Sequence, residues 1–575
     1  MAHATNPVLT GFNPDPSMIR VGDDYYIATS TFEWFPGVQI HHSKDLIHWE
    51  LICHPLDRLS QLNMLGEQNS CGIWAPCLSY SNGLYYLVYT DVKAFIGMFK
   101  DTHNYLVTAP DIRGPWSEPV YLNSSGFDAS LFHDEDGKKY LLNMLMDYRS
   151  WKTKFGGILL QEYSEEKKAL IGEPINIFKG TQLRLTEGPH IYKRDGYYYL
   201  MTAEGGTGYE HSVTMARSRN LTGPYEVDPL NPMLSAYHTP DRLLQKAGHA
   251  SLVEGHNGRW YLAHLCGRPV GENRCCILGR ETAIQEVVWK DGWLRLAGGG
   301  NWPCETVEIE TKIEAGAEAG VETGIETGIK TKIGTEIRTE IVAKTKAEIN
   351  ELAEVEREGV TKSFSTEKKY HREEFDRETW SIHLQTLRVP LMERASLTER
   401  PGYLRLYGGE SLTSCHNQSL LAHRQQSFYT ETVTKLDFNP TSFQTMAGLI
   451  YYYNTISYYY LYITQDEALG RVLSIISCVL GHGSHPIGAG IVLPEEGEVF
   501  LKLTTEKEKA YFSYSMDGTN YQRVGKELDA TVLSDDYYAA TGHIMFTGAF
   551  IGICCQDLAG RKVYADFDYF EYKET

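Results

Sequence analysis

The chain has 575 residues, 42% of them hydrophobic and 22% charged, a globular composition too long for a single core, so two or more domains are expected. Its formal net charge of −20 argues against nucleic acid as a partner, because phosphate binding needs a basic footprint, and it suits a neutral substrate. No apolar run is long enough to span a bilayer, so no membrane partner is expected; 38 tyrosines favour β structure and sugar-facing surfaces.

The N-terminal stretch "MAHATNPVLTGF" carries neither a basic region nor an apolar one, so no secretory signal is visible. The 11 cysteines are scattered, with no C-x-x-C pair and no spacing of a disulfide framework. Reduced thiols in a cytoplasmic protein are the expectation, although a secreted mature chain would read the same.

The first motif is "GFNPDPSMIR", in which Asp15 stands between Pro14 and Pro16. Proline fixes its own φ and pushes the residue before it toward extended conformations, so Asp15 is expected to be extended and restrained. Taken alone, the stretch reads as a surface turn.

The same plan then recurs. "DPSMIRVGDDYYIATS" from Asp15, "APCLSYSNGLYYLVYT" from Ala75 and "DASLFHDEDGKKYLLNM" from Asp128 each read as a β-hairpin around a polar turn. So do "EGPHIYKRDGYYYLMTA" from Glu187 and "HASLVEGHNGRWYLAHL" from His249, the successive starts lying 60, 53, 59 and 62 residues apart. The second half of the unit recurs in three of the five, as "HHSKDLIHWE", "TAPDIRGPWSE" and "ARSRNLTGPYE". Two hairpins make a four-stranded blade, and five blades make a five-bladed β-propeller. An array of β-sandwiches is the alternative, but a unit of about 60 residues is short for a sandwich of roughly 100.

Asp15, Ala75, Asp128, Glu187 and His249 thus share one position, the entry to the first strand of a blade. Such positions meet at one end of the central channel, bringing three carboxylates and a histidine together. Crowded carboxylates repel, so a structural role for all three is costly; catalysis is favoured, with cation binding as the competing use. One protonated and one ionised carboxyl across a cavity form the minimal apparatus for glycoside hydrolysis, and a third can raise the acid's pKa. Phe32, Trp34 and Trp74 are candidate platforms for a sugar ring, with Trp34 expected to serve blade packing instead.

The run "GFNPDPSMIRVGDDYYIATSTFEWFPGVQIHHSKDLIHWELI" resembles glycoside hydrolase family 43, in its β-xylosidase branch with a C-terminal β-sandwich. So do "GIWAPCLSY", "GFDASLFHDEDGKKYLLNM", "LTEGPHIYKRDGYYYLMTAEGGTGYEHSV", "LGRETAIQEVVW" and, late in the chain, "FTGAFIGICCQDLAG". By this resemblance Asp15 is the general base, Glu187 the general acid, and Asp128 the residue that orients the acid and modulates its pKa. Inversion is implied, with Asp15 and Glu187 about 6.5–9.5 Å apart to admit water. Arg280 is similar to an arginine that binds sugar hydroxyls, and its charge should help keep Asp15 and Asp128 ionised. Phe32, Trp74 and Thr207 match pocket-lining positions, and Phe546 matches an aromatic that closes one side of the site, forcing exo action. His249 resembles a channel histidine that contacts a cation or its waters in some relatives. Calcium there is the metal expectation, while no cofactor is expected to be required. Self-association into a homo-oligomer is common in relatives.

No aromatic residue occurs between Trp302 and Phe364, and isoleucine recurs every fourth residue from Ile325 to Ile341 among threonine and glycine. This composition reads as a low-complexity linker. From about Glu373 short alternating strands such as "AGLIYYYN" and "YYYLYIT" return, consistent with a β-sandwich. The expected architecture is therefore all-β: a catalytic five-bladed β-propeller over 1–303, a linker over 304–363, and a β-sandwich domain over 364–575. The expected activity is inverting, exo-acting release of xylose from the non-reducing ends of β-1,4-xylo-oligosaccharides, with α-L-arabinofuranosidase side activity. A dedicated α-L-arabinofuranosidase, a non-catalytic carbohydrate-binding propeller and a retaining fructosidase-type enzyme remain as alternatives.

Overall fold

The five repeats fold as five antiparallel sheets, each a path of four strands in chain order. The computed structural model describes residues 2–310 and 368–575; the isoleucine repeat of the expected linker lies outside them. The first strands of the sheets are Ser17–Val21, Gly72–Ser81, Ser130–His133, Glu187–Arg194 and Gln245–Glu254. Each packs against the first strands of its two neighbours, and the fifth returns to the first, closing a ring around a channel. The five-bladed propeller is confirmed.

Serines two residues beyond three of the blade entries stitch this ring. Ser17 Oγ accepts from Leu78 N (2.9 Å), Ser130 Oγ donates to Pro189 O, and Ser251 Oγ donates to Pro16 O (2.8 Å) while accepting from Met18 N (2.8 Å). Each bond spans two blades, so a side chain satisfies backbone groups that neighbouring strands cannot reach.

The ring is also latched by the chain's beginning. Ala2–Thr5 pairs antiparallel with Thr306–Ile309, and the Asn6 amide donates to Ile284 O (2.7 Å) and Cys304 O (2.9 Å). The boundary drawn at 303/304 therefore moves: residues 306–309 belong to the propeller side. Their alternation, with Val307 and Ile309 buried between exposed Thr306 and Glu308, is the period-two pattern of a half-buried strand.

The C-terminal region is two stacked sheets of eight and nine strands. Between them lies an apolar core including Leu449, Tyr451, Leu461, Leu501, Phe512 and Ile553. The ninth strand is foreign to the domain. Trp34–Phe35, in a propeller loop, pairs with Leu384–Leu387, and the Trp34 ring stacks on Phe550 with centroids 3.8 Å apart. This corrects the expectation for Trp34, which serves the contact between the two regions rather than packing within a blade. Fully buried Arg388 and buried Arg424 secure the same contact. Arg388 Nε donates to Glu67 O (2.6 Å), and Arg424 Nη1 donates to Phe12 O (2.6 Å). Propeller and sandwich thus pack as one unit.

Candidate active site

The blade entries share more than position. Asp15, Ala75, Asp128 and His249 all have positive φ, at 57°, 37°, 56° and 42°, and in the fourth blade Gly188, next to Glu187, has φ 55°. The extended backbone expected for Asp15 is therefore wrong. The ring of blades, not the adjacent prolines, dictates its conformation: Ser30 N donates to Pro14 O (3.1 Å) and Ser251 Oγ holds Pro16 O. Left-handed non-glycine residues cost about 1–3 kcal/mol each and persist where surroundings over-determine them, typically at functional sites.

The three carboxylates are all buried, with 5–7% of each residue exposed. Asp15 accepts from Ser30 Oγ (2.7 Å) at Oδ2 and from Arg280 Nη1 (3.2 Å) at Oδ1. Ser30 Oγ also accepts from Ala75 N (2.8 Å), so the second blade's entry holds the first blade's carboxylate in place. Asp128 Oδ2 accepts from Gly188 N (3.0 Å), the amide adjoining Glu187, which ties the third blade's carboxylate to the fourth's backbone. His249 Nδ1 lies 3.6 Å from Asp15 and 3.9 Å from Asp128, between the two. Glu187 Oε1 is buried with no hydrogen-bond partner among the described residues.

These surroundings split the protonation states. Burial raises the pKa of Asp15, but Arg280, His249 and the Ser30 hydroxyl outweigh it and leave the carboxyl below its usual range. Asp128 is pushed up to about 6, by burial first, with His249 opposing and Asp15 adding to the rise. Glu187 is raised well above the ordinary value, by burial and then by repulsion from Asp128 and Asp15. The surroundings thus drive the two carboxyls in opposite directions, Asp15 toward the ionised form and Glu187 toward the protonated form. The nearby His211 imidazole is pulled down to about 3, by burial and then by His249 and Arg280, so it stays neutral.

Aromatic rings wall the cluster. Trp74 lies 5.7 Å from Phe32, 5.5 Å from Phe95, 5.4 Å from Phe127 and 5.3 Å from Phe546, measured between centroids. Phe546 comes from the sandwich: its amide donates to Ser70 Oγ (3.1 Å) and its carbonyl accepts from Arg280 Nη2 (3.1 Å). One arginine therefore links Asp15 to the wall. Thr207 lies half-buried on the loop after Tyr197–Glu204, and among the described residues no hydrogen bond, ion pair or ring contact joins it to the cluster.

Two contributors escaped the sequence reading. Lys100 Nζ sits over the rings of Phe95, Trp74 and Phe127 at 5.0, 5.3 and 5.8 Å; burial pulls its pKa down, and Glu187 is the first group opposing that. It lies between blade strands, outside the repeated plan, so no pattern marks it. Phe127 was findable: it immediately precedes a blade entry, as Trp74 does.

The residues near His249 fit a directly bound calcium only weakly. Calcium takes 6–8 oxygen ligands, whereas Asp15 and Asp128 are engaged by Arg280, Ser30 and Gly188, and His249 offers nitrogen. Among the described residues, the three side chains placed to hold a metal ion are His371, His383 and His423 in the sandwich, their ligand atoms within 4.8 Å of one another.

Comparison with known proteins accounts for both regions. Residues 4–294 match the model of glycosyl hydrolases family 43, and residues 372–573 match that of the beta xylosidase C-terminal concanavalin A-like domain. A beta-xylosidase of Bacillus subtilis (strain 168) is 49% identical over 582 residues, covering 99% of each chain. Xylosidase/arabinosidase 43B of Humicola insolens is 45% identical over 578 residues, covering 100% of this chain and 98% of its own. The crystal structure of xylan beta-1,4-xylosidase from Bacillus halodurans C-125 superposes with a TM-score of 0.87 at 50% identity, covering 99% of this chain and 100% of that one.

Proposed function

The chain belongs to glycosyl hydrolases family 43, and on that premise we propose that it is an exo-acting, inverting β-xylosidase releasing xylose from the non-reducing ends of xylo-oligosaccharides. The observation that carries the mechanism is the cluster of three buried carboxylates at the blade entries, whose surroundings push Asp15 toward ionisation and Glu187 toward protonation. Glu187 gives its proton to the glycosidic oxygen as the bond to the anomeric carbon breaks. Asp15 takes a proton from a water that attacks that carbon from the opposite face. The products are an alcohol and a xylose of inverted configuration, and the site is reset when Glu187 regains a proton and Asp15 loses one to solvent. Asp128 keeps Glu187 protonated through repulsion and, through Gly188 N, fixes the backbone beside it. Arg280 holds Asp15 ionised and aimed, leaving its buried Nε for a sugar hydroxyl.

Phe32, Trp74 and Phe546 shape an end wall that suits one terminal sugar, which supports exo action. The relative named xylosidase/arabinosidase supports a side activity on α-L-arabinofuranosides. No step requires a cofactor. An ion in the channel at His249 would rest on one imidazole nitrogen and on water, and chelation followed by calcium add-back tests for it. Eleven unpaired thiols support work in a reducing compartment, the cytoplasm. The function is tested by comparing kcat/KM on aryl β-D-xyloside and aryl α-L-arabinofuranoside. Faster xyloside cleavage supports the proposal, and faster arabinofuranoside cleavage keeps the mechanism but changes the sugar. Turnover of neither would leave a carbohydrate-binding propeller.

A further inference from the structure

We propose that His371, His383 and His423 form a divalent transition-metal site, with zinc the natural occupant, that bolts the two sheets of the sandwich together. The three residues come from separate segments. His371 lies on the strand Tyr370–Glu373 of the eight-stranded sheet, and His423 on Ser419–Arg424 of the nine-stranded sheet. His383 immediately precedes Leu384, the cross-strand partner of His423. Positions 12 and 40 residues apart in the chain thus deliver one imidazole each to the same point.

The rings approach closely, with centroids 4.2 Å apart for His371 and His383, 5.1 Å for His371 and His423, and 6.0 Å for His383 and His423. Their ligand atoms lie within 4.8 Å of one another, so ring movements of about 1–1.5 Å bring three nitrogens to the roughly 3.4 Å separations that an ion at about 2.0–2.1 Å requires. They border a cavity of about 40 Å³, room for an ion and a water in the fourth tetrahedral position.

His423 is oriented as a ligand would be. Its Nδ1 lies 2.6 Å from Arg424 O, and a carbonyl can only accept, so Nδ1 carries the proton and Nε2 keeps its lone pair. A backbone carbonyl holding the other ring nitrogen is the usual support of a metal-bound histidine. The ring is braced from behind by Tyr572, stacked at 4.4 Å. Glu373 accepts from Phe375 N (2.9 Å) and Ser381 N (2.7 Å), fixing the turn that leads to His383. Among the described residues lining the cavity, the one cationic side chain, Arg372, is engaged by Glu374 (2.6 Å) and Glu571 (2.8 Å), so it does not stand as an unbalanced charge against a bound cation. With the lining Glu373 carboxylate engaged by two backbone amides, the ligand set is three imidazoles, which favour zinc, copper, nickel or cobalt over calcium or magnesium.

The site is remote from the blade entries in role, and its effect is on the sandwich. Metal-stripped full-length protein is titrated with Zn²⁺ by calorimetry and, separately, with Co²⁺ by visible absorption. The expected result is one tight ion per chain, a tetrahedral cobalt spectrum and a rise in Tm with Zn²⁺. His371→Ala and His383→Gln, at half-buried positions where folding is least threatened, should each weaken Zn²⁺ by at least ~100-fold, since loss of outer-shell support alone costs 10–100-fold. Their Tm should no longer respond to Zn²⁺. No tight ion in wild type, or the same stoichiometry, affinity and cobalt spectrum in both variants, would overturn the site and leave a stacked histidine cluster.

Discussion

The mouth of the propeller and its contact with the sandwich both bury charge, but they balance it differently. At the contact the buried cations are each met by oxygen partners. Lys246 lies 2.7 Å from Asp536 and 3.3 Å from Asp535, while Arg388 and Arg424 are met by carbonyls and amide oxygens. At the mouth one arginine bonds directly to only one of three carboxylates, Glu187 Oε1 has no hydrogen-bond partner among the described residues, and the blade entries hold left-handed backbone. Matched buried charge fixes geometry, whereas unmatched charge splits pKa values and leaves groups ready to exchange protons. The two regions meet at Phe546, whose carbonyl takes an Arg280 hydrogen bond while its ring closes the wall.

This contrast can be broken at several points. The largest effect is expected from Glu187→Gln, which keeps shape but removes the proton: kcat on xylobiose should fall about 10²–10⁴-fold. The loss should be smaller on an aryl xyloside whose leaving group needs little protonation, a difference steady-state kinetics measures directly. Next, Lys246→Met strands Asp535 and Asp536 and should cost about 3–5 kcal/mol in urea unfolding, with the pH limbs of activity unmoved. A shifted pH profile would show that the two regions are not separate.

Asp128→Asn sharpens the comparison from the other side. Activity needs Glu187 protonated, so it is lost as pH rises through that group's raised pKa. Removing the foremost charge behind the rise should move the alkaline limb of kcat/KM to lower pH. The acid limb needs Asp15 ionised, and its lowered pKa keeps that limb on the acid side of an ordinary aspartate. Phe546→Ala should have the smallest effect, raising KM roughly 3–10-fold, as an aromatic contact contributes about 0.5–1.5 kcal/mol. An unchanged KM would remove the sandwich from the pocket.

Much of this site was legible in the sequence because a propeller turns sequence period into spatial ring. Asp15, Asp128, Glu187 and His249 could be grouped by alignment alone, since each enters its blade at the same point. Arg280 and Phe546 needed the family resemblance, as neither occupies the repeated position. Lys100 has no counterpart in the other blades, and only the folded chain places it over Trp74 and Phe127. The Asp15 backbone was misjudged because local proline sterics were weighed without the neighbouring blades, which set φ at 57°. The pairing of Trp34–Phe35 with Leu384–Leu387 spans some 350 residues, and no local pattern announces so distant a partner.

The central claim is that Glu187 and Asp15 act once each, on opposite faces of the sugar. The most direct test is proton NMR of the first-formed product during xylobiose hydrolysis, read before mutarotation. The account predicts that α-xylose appears first from the non-reducing unit and relaxes to the equilibrium mixture. Initial release of β-xylose would require a covalent intermediate, contradicting the roles given to Asp15 and Glu187.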